Sequence, residues 1–435
     1  MLFYWKHISD KFKYISHYVS TVVILSKHNL HWREGFFYDF KQQRRYFAVI
    51  LRYLPKKQII ALTGLRRVGK TVLLKQCINY LIEQKHVARK NVLYFSFDEE
   101  RPHLDTLFQE YTAITGVATH KEPLFIFLDE IQKLPQWQEQ IKVYYDTYPH
   151  LKFFVSGSES LFIRKKSQES LAGRIYILDI PILTFSEFLL FTSQEDLVKN
   201  PLMFKDEIKK KLRVYMSRNF IEVLHEDQAS VNEYSESILN KIIYEDLPLL
   251  YPIEYPEKLK SLVRGIYSSP GMIITYEHLS RDIGISSKTL EKYLFYLSQA
   301  KLIKKLYNFS RNFLTSEKKL KKFYVTAPCF CFLNDHYDVS KIVENFVALH
   351  HDIRFFWRDP FQHEVDCIME HDRQPVALEV KYTTMITPRD CKGLLTFLDK
   401  FTVKEGIIIT NDYEAEERID TKHIRCIPLW KWLLD

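Results

Sequence analysis

The sequence predicts an α/β fold: a parallel sheet covered by helices, then a helical lid, then two smaller domains. Three observations predict it. Between residues 46 and 195 short apolar runs alternate with helical patterns, as they do where a parallel sheet is buried on both faces. The first run opens into a glycine-bounded turn, Gly64-Leu65-Arg66-Arg67-Val68-Gly69-Lys70-Thr71. A later run, 124–128, ends in the acid pair Asp129-Glu130.

The turn matches G-x-x-x-x-G-K-[ST] at every fixed position. Two glycines let the backbone wrap an anion closely, so that successive N–H groups point at a β-phosphate. Lys70 reaches the β- and γ-phosphates as a point charge, and the Thr71 hydroxyl suits Mg²⁺. A helix follows, and its N-terminus adds attraction for anions. The residues expected to contact nucleotide run from Gly64 to Val72.

The run 124–128 reads as a fully buried parallel strand. Open α/β sheets place ligands at the carboxyl ends of their strands. There Asp129 would hold Mg²⁺ through water and Glu130 would polarise the attacking water; a solvated strand end is the plain alternative. An acid next to Asp129 suits hydrolysis, because general-base chemistry needs a carboxylate at that point. A third strand, 151–155, ends in Ser156-Gly157-Ser158. Ser158, or Ser156, would touch the γ-phosphate or the water, unless Ser158 is only a helix N-cap. Arg174, or Arg164, would stabilise transition-state charge in its own subunit or across an interface, so a homo-oligomer stays open. A surface role remains the alternative for both arginines. The predicted strands are Ile59–Thr63, 92–97, 124–128, 153–156 and Ile175–Asp179. Phosphate loop, acid pair and polar strand end resemble the additional-strand class of P-loop ATPases, close to the AAA-like branch. The resemblance implies ATP and Mg²⁺ as ligands. No second sensor motif or lid arginine stands out.

The chain has 435 residues, room for several domains, and is 46% hydrophobic, ample for real cores. A net charge of +8 is compatible with a nucleic-acid partner without requiring one. Six scattered cysteines have neither zinc nor disulfide spacing, which fits a reducing, cytoplasmic setting. The apolar stretch 19–25 is too short to span a bilayer, and no signal-peptide pattern opens the chain, so no membrane is expected.

The expected organisation is an N-terminal extension to residue 45, an ATPase core over 46–195, a helical lid or connector over 196–262, a winged helix over 263–325 and a last domain over 326–435. Within 271–305 a short helix, a turn at Gly284 and a second helix carrying Leu290, Leu294 and Leu297 on one face form a helix-turn-helix pattern. Lys288 and Lys292 fall on its exposed side. Lys318, Lys319, Lys321 and Lys322 add charge at the wing. The functional reading is contact with DNA phosphates; a solvated face or a protein-packing module is the alternative.

In the last domain Glu344 lies on a probable helix, Asp366 in a strand-like run and Glu379 and Lys381 on another strand. Period-2 alternation puts Glu379 and Lys381 on one face. Two carboxylates about a Mg²⁺ ion with an ammonium beside the attacking water suit phosphodiester hydrolysis. A structural salt-bridge cluster is the competing reading. The pattern resembles the restriction-endonuclease-like D…E-x-K core, with Asp366 and Glu379 as metal ligands and Glu344 as a first-helix acid. The full order resembles a large prokaryotic family of AAA-like ATP-binding proteins with a nuclease-like C-terminal domain. It implies ATP hydrolysis linked to DNA, with cleavage or with binding alone.

Overall fold

The computed structural model describes residues 23–40, 42–157, 170–351, 353–371, 374–419 and 421–434. The chain divides into two compact units, 1–181 and 182–435.

In the first unit five strands, β1 (Ile59–Thr63), β2 (Val92–Ser96), β3 (Leu124–Asp129), β4 (Leu151–Ser156) and β5 (Ile175–Asp179), form one sheet in the order β2-β3-β4-β1-β5. All its pairings are parallel. β4 is therefore inserted between the strand before the glycine turn and the strand before the acid pair. The helices α1 (Tyr46–Tyr53), α2 (Lys70–Glu83), α3 (Leu104–Thr115) and α4 (Trp137–Thr147) join the strands or flank them. β1 and β4 are buried along their whole lengths. That explains why both read as largely apolar runs rather than as alternations, with Lys152 the interruption within β4. All five strands end at the same edge, so 64, 129 and 156 are brought together.

Part of the extension before residue 46 is built into this unit. His31, in the 3-10 turn Leu30–Trp32, is fully buried, its Nε2 3.0 Å from the Val92 carbonyl oxygen and its Nδ1 3.1 Å from the Tyr38 hydroxyl. Burial pushes its imidazole down to about 4. A depressed pKa favours the neutral ring in the fold, so its contribution is complete above the unfolded value near 6.5. It is lost as pH falls from there to about 4, a span worth about 3 kcal/mol. Wild type should therefore lose about 3 kcal/mol more than His31→Gln between pH 7 and pH 4, measured by denaturant titration at each pH. Equal losses would refute the assignment.

The second unit begins at Ile182, earlier than the boundary at 195 that the sequence pattern suggests. The helix α5 (Phe185–Phe191) carries the reason. Its Phe185 and Phe188 rings lie 5.3 and 5.5 Å from Tyr215 on α7 (Lys205–Ser217), beyond the short α6 (Glu195–Lys199). The rest of the expected lid is α8 (Gln228–Lys241), α9 (Leu247–Leu250) and α10 (Pro256–Ser268). It groups with the C-terminal half, and the Asn219 carboxamide oxygen accepts the Cys329 N–H at 2.8 Å.

Beyond the lid come β6 (Met272–Ile274), α11 (Tyr276–Ile283), α12 (Ser287–Gln299), β7 (Ile303–Asn308), α13 (Phe313–Lys318) and β8 (Lys321–Val325). Gly284 ends α11 with φ +72°, where a side chain would be strained. Ser286 caps α12 by accepting the Thr289 N–H. The last elements are α14 (Val339–Leu349), β9 (Phe355–Arg358), β10 (Glu364–His371), β11 (Gln374–Lys381), α15 (Lys392–Phe401), β12 (Glu405–Thr410), β13 (Ala415–Ile419), β14 (Lys422–Pro428) and α16 (Leu429–Trp432). The expected boundary at 325 does not separate two sheets. β7 pairs with β9 in parallel, Tyr307 opposite Phe355, and nine strands run β13-β14-β12-β11-β10-β9-β7-β8-β6. An unpaired strand edge is a template for another strand, and here the free edge of β7 takes β9. Among the described residues no helix is long and apolar enough to cross a membrane.

Candidate nucleotide site and a second acidic cluster

The glycine turn sits between β1 and α2. Gly64 has φ +134°, and a Cβ there would lie 2.3 Å from the Ile180 carbonyl oxygen. Only glycine fits so close to a backbone atom. Gly69, with φ +91°, leads into the first turn of α2. Leu65 and Val68 are buried and hold the loop from below, Arg66 is half-buried and Arg67 exposed. Val72 is half-buried in the first turn of α2. Lys70 is buried, and its ammonium donates to the loop's own carbonyls, Gly64 at 3.1 Å and Leu65 at 3.0 Å. Burial lowers its pKa, and Glu130 and Asp129 pull the other way.

Asp129 ends β3 and is buried among hydroxyls. Its Oδ2 accepts from Thr71 Oγ1 at 2.6 Å and from the Tyr94 hydroxyl at 2.9 Å, and Ser156 Oγ donates to Oδ1. Glu130 follows in left-handed backbone, φ +52°, a costly conformation for a residue with a side chain. Its N–H points at Ser156 Oγ (3.3 Å) and Asp129 Oδ1 (3.2 Å), and its carboxylate accepts from Gln132 at 2.5 Å. Burial raises the Glu130 carboxyl pKa, against the pull of Lys70.

Lys70, Thr71, Asp129 and Glu130 are thus gathered at one sheet edge. These residues fit Mg²⁺ and a polyphosphate. The cradle leaves no room for a Cβ at Gly64, and the hydrogen-bonded Thr71 hydroxyl and Asp129 carboxylate stand with a buried ammonium at the same sheet edge. Thr71 and Asp129 would hold the ion and Lys70 the phosphates.

Arg174 is not gathered there. It stands just before β5, its carbonyl accepts the Ile59 N–H at 2.8 Å, and its guanidinium grips Asp146 of α4 at 2.9 and 3.1 Å. It lies at the amino edge of the sheet, one strand length from Gly64, so it cannot serve the phosphate loop of its own subunit. A residue just before a parallel strand belongs to its amino end, away from the carboxyl ends where such sheets hold ligands, so the strand assignment itself argues against Arg174. Ser158 and Arg164 lie outside the described residues. Ser156 is the described serine that reaches Asp129.

Tyr94 is the residue the motif reading misses. It sits mid-strand in an apolar run, with nothing in the spacing to mark it as polar in function. Tyr94→Phe should raise the Mg²⁺ concentration needed for half-maximal ATP turnover roughly tenfold, because a hydrogen bond to a charged group contributes about 1.5 kcal/mol. Turnover at saturating Mg²⁺ should change little. An unchanged Mg²⁺ dependence would remove Tyr94 from the site. A separate cleft of about 940 Å³ is lined by residues including Tyr38, Phe40, Arg44, Phe47, Gln76 and Tyr80, and neither Asp129 nor Lys70 lines it.

The second cluster lies in the C-terminal unit. Asp366 sits where the pairing of β10 with β9 shifts register between Val365 and Ile368. Such bulges re-aim side chains. Its Oδ2 accepts the Val380 N–H at 3.0 Å. Lys381 donates to Glu379 at 2.6 Å across one face of β11. Burial, then the charge of Asp366, pushes the Glu379 carboxyl upward. The decisive group is Lys322 on β8. It is 1% exposed, and its ammonium lies 2.7 Å from Glu344, 2.6 Å from Glu364 and 3.2 Å from Asp366. Burial would depress Lys322. Tyr324 and the carboxylates Glu344, Asp366 and Glu364 outweigh it and keep it charged. Burial would likewise raise Asp366, and Lys322 holds it low instead.

Two sequence expectations change here. Lys322 does not add charge to an exposed wing. Neither does Lys321, whose buried ammonium caps the carbonyls of Ser316 and Glu317 at 3.0 and 2.7 Å. The proposed metal ligands Asp366 and Glu379, with Glu344, do not fit a divalent ion, because a cation already stands among the carboxylates. Among the described residues no group of three or more His, Cys, Asp or Glu is arranged to hold a metal.

Residues 56–189 match the model of an AAA domain. Residues 222–329 and 340–432 match two domains of unknown function, DUF8612 and DUF4143. Two uncharacterised proteins of Methanocaldococcus jannaschii are 27% identical, one over 337 residues (71% of this chain, 67% of that protein) and one over 413 (88% and 90%). An uncharacterised protein of Mycobacterium tuberculosis is 21% identical over 395 residues, 87% of this chain and 81% of its own. Among solved structures, a Walker-type ATPase of Pyrococcus abyssi is 15% identical, with a TM-score of 0.42, covering 70% of this chain and 99% of that one. The Aeropyrum pernix ORC2 protein is 13% identical, with a TM-score of 0.37, covering 74% and 98%. The AAA match, over the segment that forms the parallel sheet and glycine turn, supports a P-loop ATPase domain in this chain.

Proposed function

We propose that this chain binds ATP at residues 64–72 and hydrolyses it, and that nucleotide state controls a DNA contact made by the second unit. One observation carries the first part: Lys70, Thr71, Asp129 and Glu130 converge on one edge of a parallel sheet, around a loop too tight for any residue but glycine at 64.

The chain's own groups account for the chemistry. The loop N–H groups and the start of α2 attract the phosphates. Lys70 exchanges the carbonyls of Gly64 and Leu65 for phosphate oxygens, so its ammonium stays paired throughout. Thr71 and Asp129, hydrogen-bonded to each other, would hold the magnesium ion, which would supply charge neutralisation at the phosphates. Tyr94 and Ser156 keep the Asp129 carboxylate aimed. Glu130, its carboxyl raised by burial, is a stronger proton acceptor for a water than an exposed carboxylate. Ser156 Oγ accepts the Glu130 N–H and so sets where that carboxylate starts.

The DNA contact rests on Lys288 and Lys292, exposed on α12 in a helix-turn-helix arrangement with β6, β7 and β8 beside it. The protein is proposed to work in the cytoplasm. A homo-oligomer follows only if an arginine acts across an interface, and Arg174 would have to leave Asp146 to do so.

The test is direct. Purified protein with Mg²⁺ should bind a fluorescent ATP analogue and release phosphate from ATP. Its affinity for duplex DNA should fall steeply with salt. Failure to bind any adenine or guanine triphosphate would end the proposal, and a flat salt response would end its DNA part.

A further inference from the structure

We infer that the D…E-x-K cluster of the C-terminal unit carries its own cation, the Lys322 ammonium, and is a metal-free ion-pair core that joins β8 to β10 and α14 rather than a cleavage site. The inference uses nothing from the nucleotide site and stands or falls apart from it.

The oxygens account for themselves. Glu344 Oε1 receives Lys322 and the Tyr324 hydroxyl, each at 2.7 Å, and its Oε2 receives Lys341 at 2.8 Å. Glu364 Oε1 faces Lys322, and its Oε2 lies 3.5 Å from Arg358. Asp366 divides its two oxygens between Lys322 and the Val380 N–H. Glu379 gives one oxygen to Lys381, and its Oε2 alone in this cluster is buried without a hydrogen-bond partner.

One spare oxygen does not make a magnesium site. That ion asks for near-ideal octahedral geometry at about 2.0–2.1 Å. Here the carboxylates stand 2.6 to 3.2 Å from a nitrogen, the separation of an ammonium hydrogen bond. Four cations (Lys322, Lys341, Arg358, Lys381) already face the carboxyl groups of Glu344, Glu364, Asp366 and Glu379. A divalent ion would have to force Lys322 out of a fully enclosed position or leave two unbalanced charges in low dielectric. Lys322 has no open path outward, because it is 1% exposed and its ammonium lies 5.9 and 5.7 Å from the centroids of the Tyr324 and Phe356 rings.

Manganese is the probe. Nucleotide-free, full-length protein is titrated with Mn²⁺ and free ion is followed by electron paramagnetic resonance, wild type beside Asp366→Asn. The expected result is no bound Mn²⁺ that Asp366→Asn removes, and duplex DNA left intact with Mn²⁺ and ATP present. One equivalent of Mn²⁺ in wild type that is lost in Asp366→Asn would overturn the inference, as would cleavage abolished by Asp366→Asn. Lys322→Ala supplies the converse. Its three released carboxylates should take up one Mn²⁺, and Mn²⁺ should raise its melting temperature by several degrees while leaving that of wild type unmoved. Should that variant not fold, the wild-type titration decides the matter by itself.

Discussion

Glu130→Gln should lower ATP turnover by about 10²- to 10⁴-fold while ATP affinity stays within a factor of a few, the range set by removing a general base. The substitution keeps size and hydrogen-bonding reach, so the left-handed backbone at 130 and the contacts with Ser156 and Gln132 have no reason to move. What changes is the ability to accept a proton. The Glu130 carboxyl is raised by burial, which brings it toward the pH at which it works and makes it a stronger acceptor than an exposed acid. A phosphate-release assay with a parallel binding titration separates the two effects. Turnover that survives at wild-type rate would remove Glu130 from the chemistry. Equal loss of binding and turnover would make it a structural residue of the loop.

The second large effect is expected at Gly64. An alanine there needs φ near +134°, which L residues rarely adopt, and its Cβ would stand 2.3 Å from the Ile180 carbonyl oxygen and 3.3 Å from Val68. The clashing oxygen is backbone, held because the Ile180 N–H donates to Thr63 at 2.8 Å. Neither side yields cheaply. Gly64→Ala should destabilise the first unit by about 3 kcal/mol through backbone strain and displace the loop. ATP binding should fall with it by at least a hundredfold. Calorimetry and the same titration measure both. Wild-type melting with wild-type affinity would show that the loop bends more easily than its geometry implies.

How much was legible differs between the two sites. All five strands of the first sheet were readable, with the motif that joins β1 to α2. Their buried apolar runs and the glycine spacing are local, and backbone chemistry alone demands them. The acid pair 129–130 was readable for the same reason, as the end of such a run. The C-terminal site was half legible. Asp366, Glu379 and Lys381 could be picked out by strand alternation, which holds within one hairpin. Lys322 could not, because it is 44 residues from Asp366 and looks like one more lysine in a basic stretch. Its meaning depends on the shared sheet that brings β8 beside that hairpin.

Sequence alone therefore determined the parallel sheet, the phosphate-type loop and the identity of the acids. Each is a property of residues within a few positions of one another, governed by burial and by allowed backbone angles. Tertiary structure decided the rest: that Tyr94 and Ser156 aim Asp129, that Arg174 grips Asp146, and that the chain divides at 181. It also decided that an ammonium stands among the C-terminal carboxylates. A charge takes its role from whatever the fold brings within a few ångströms of it, and separation along the chain does not encode that distance.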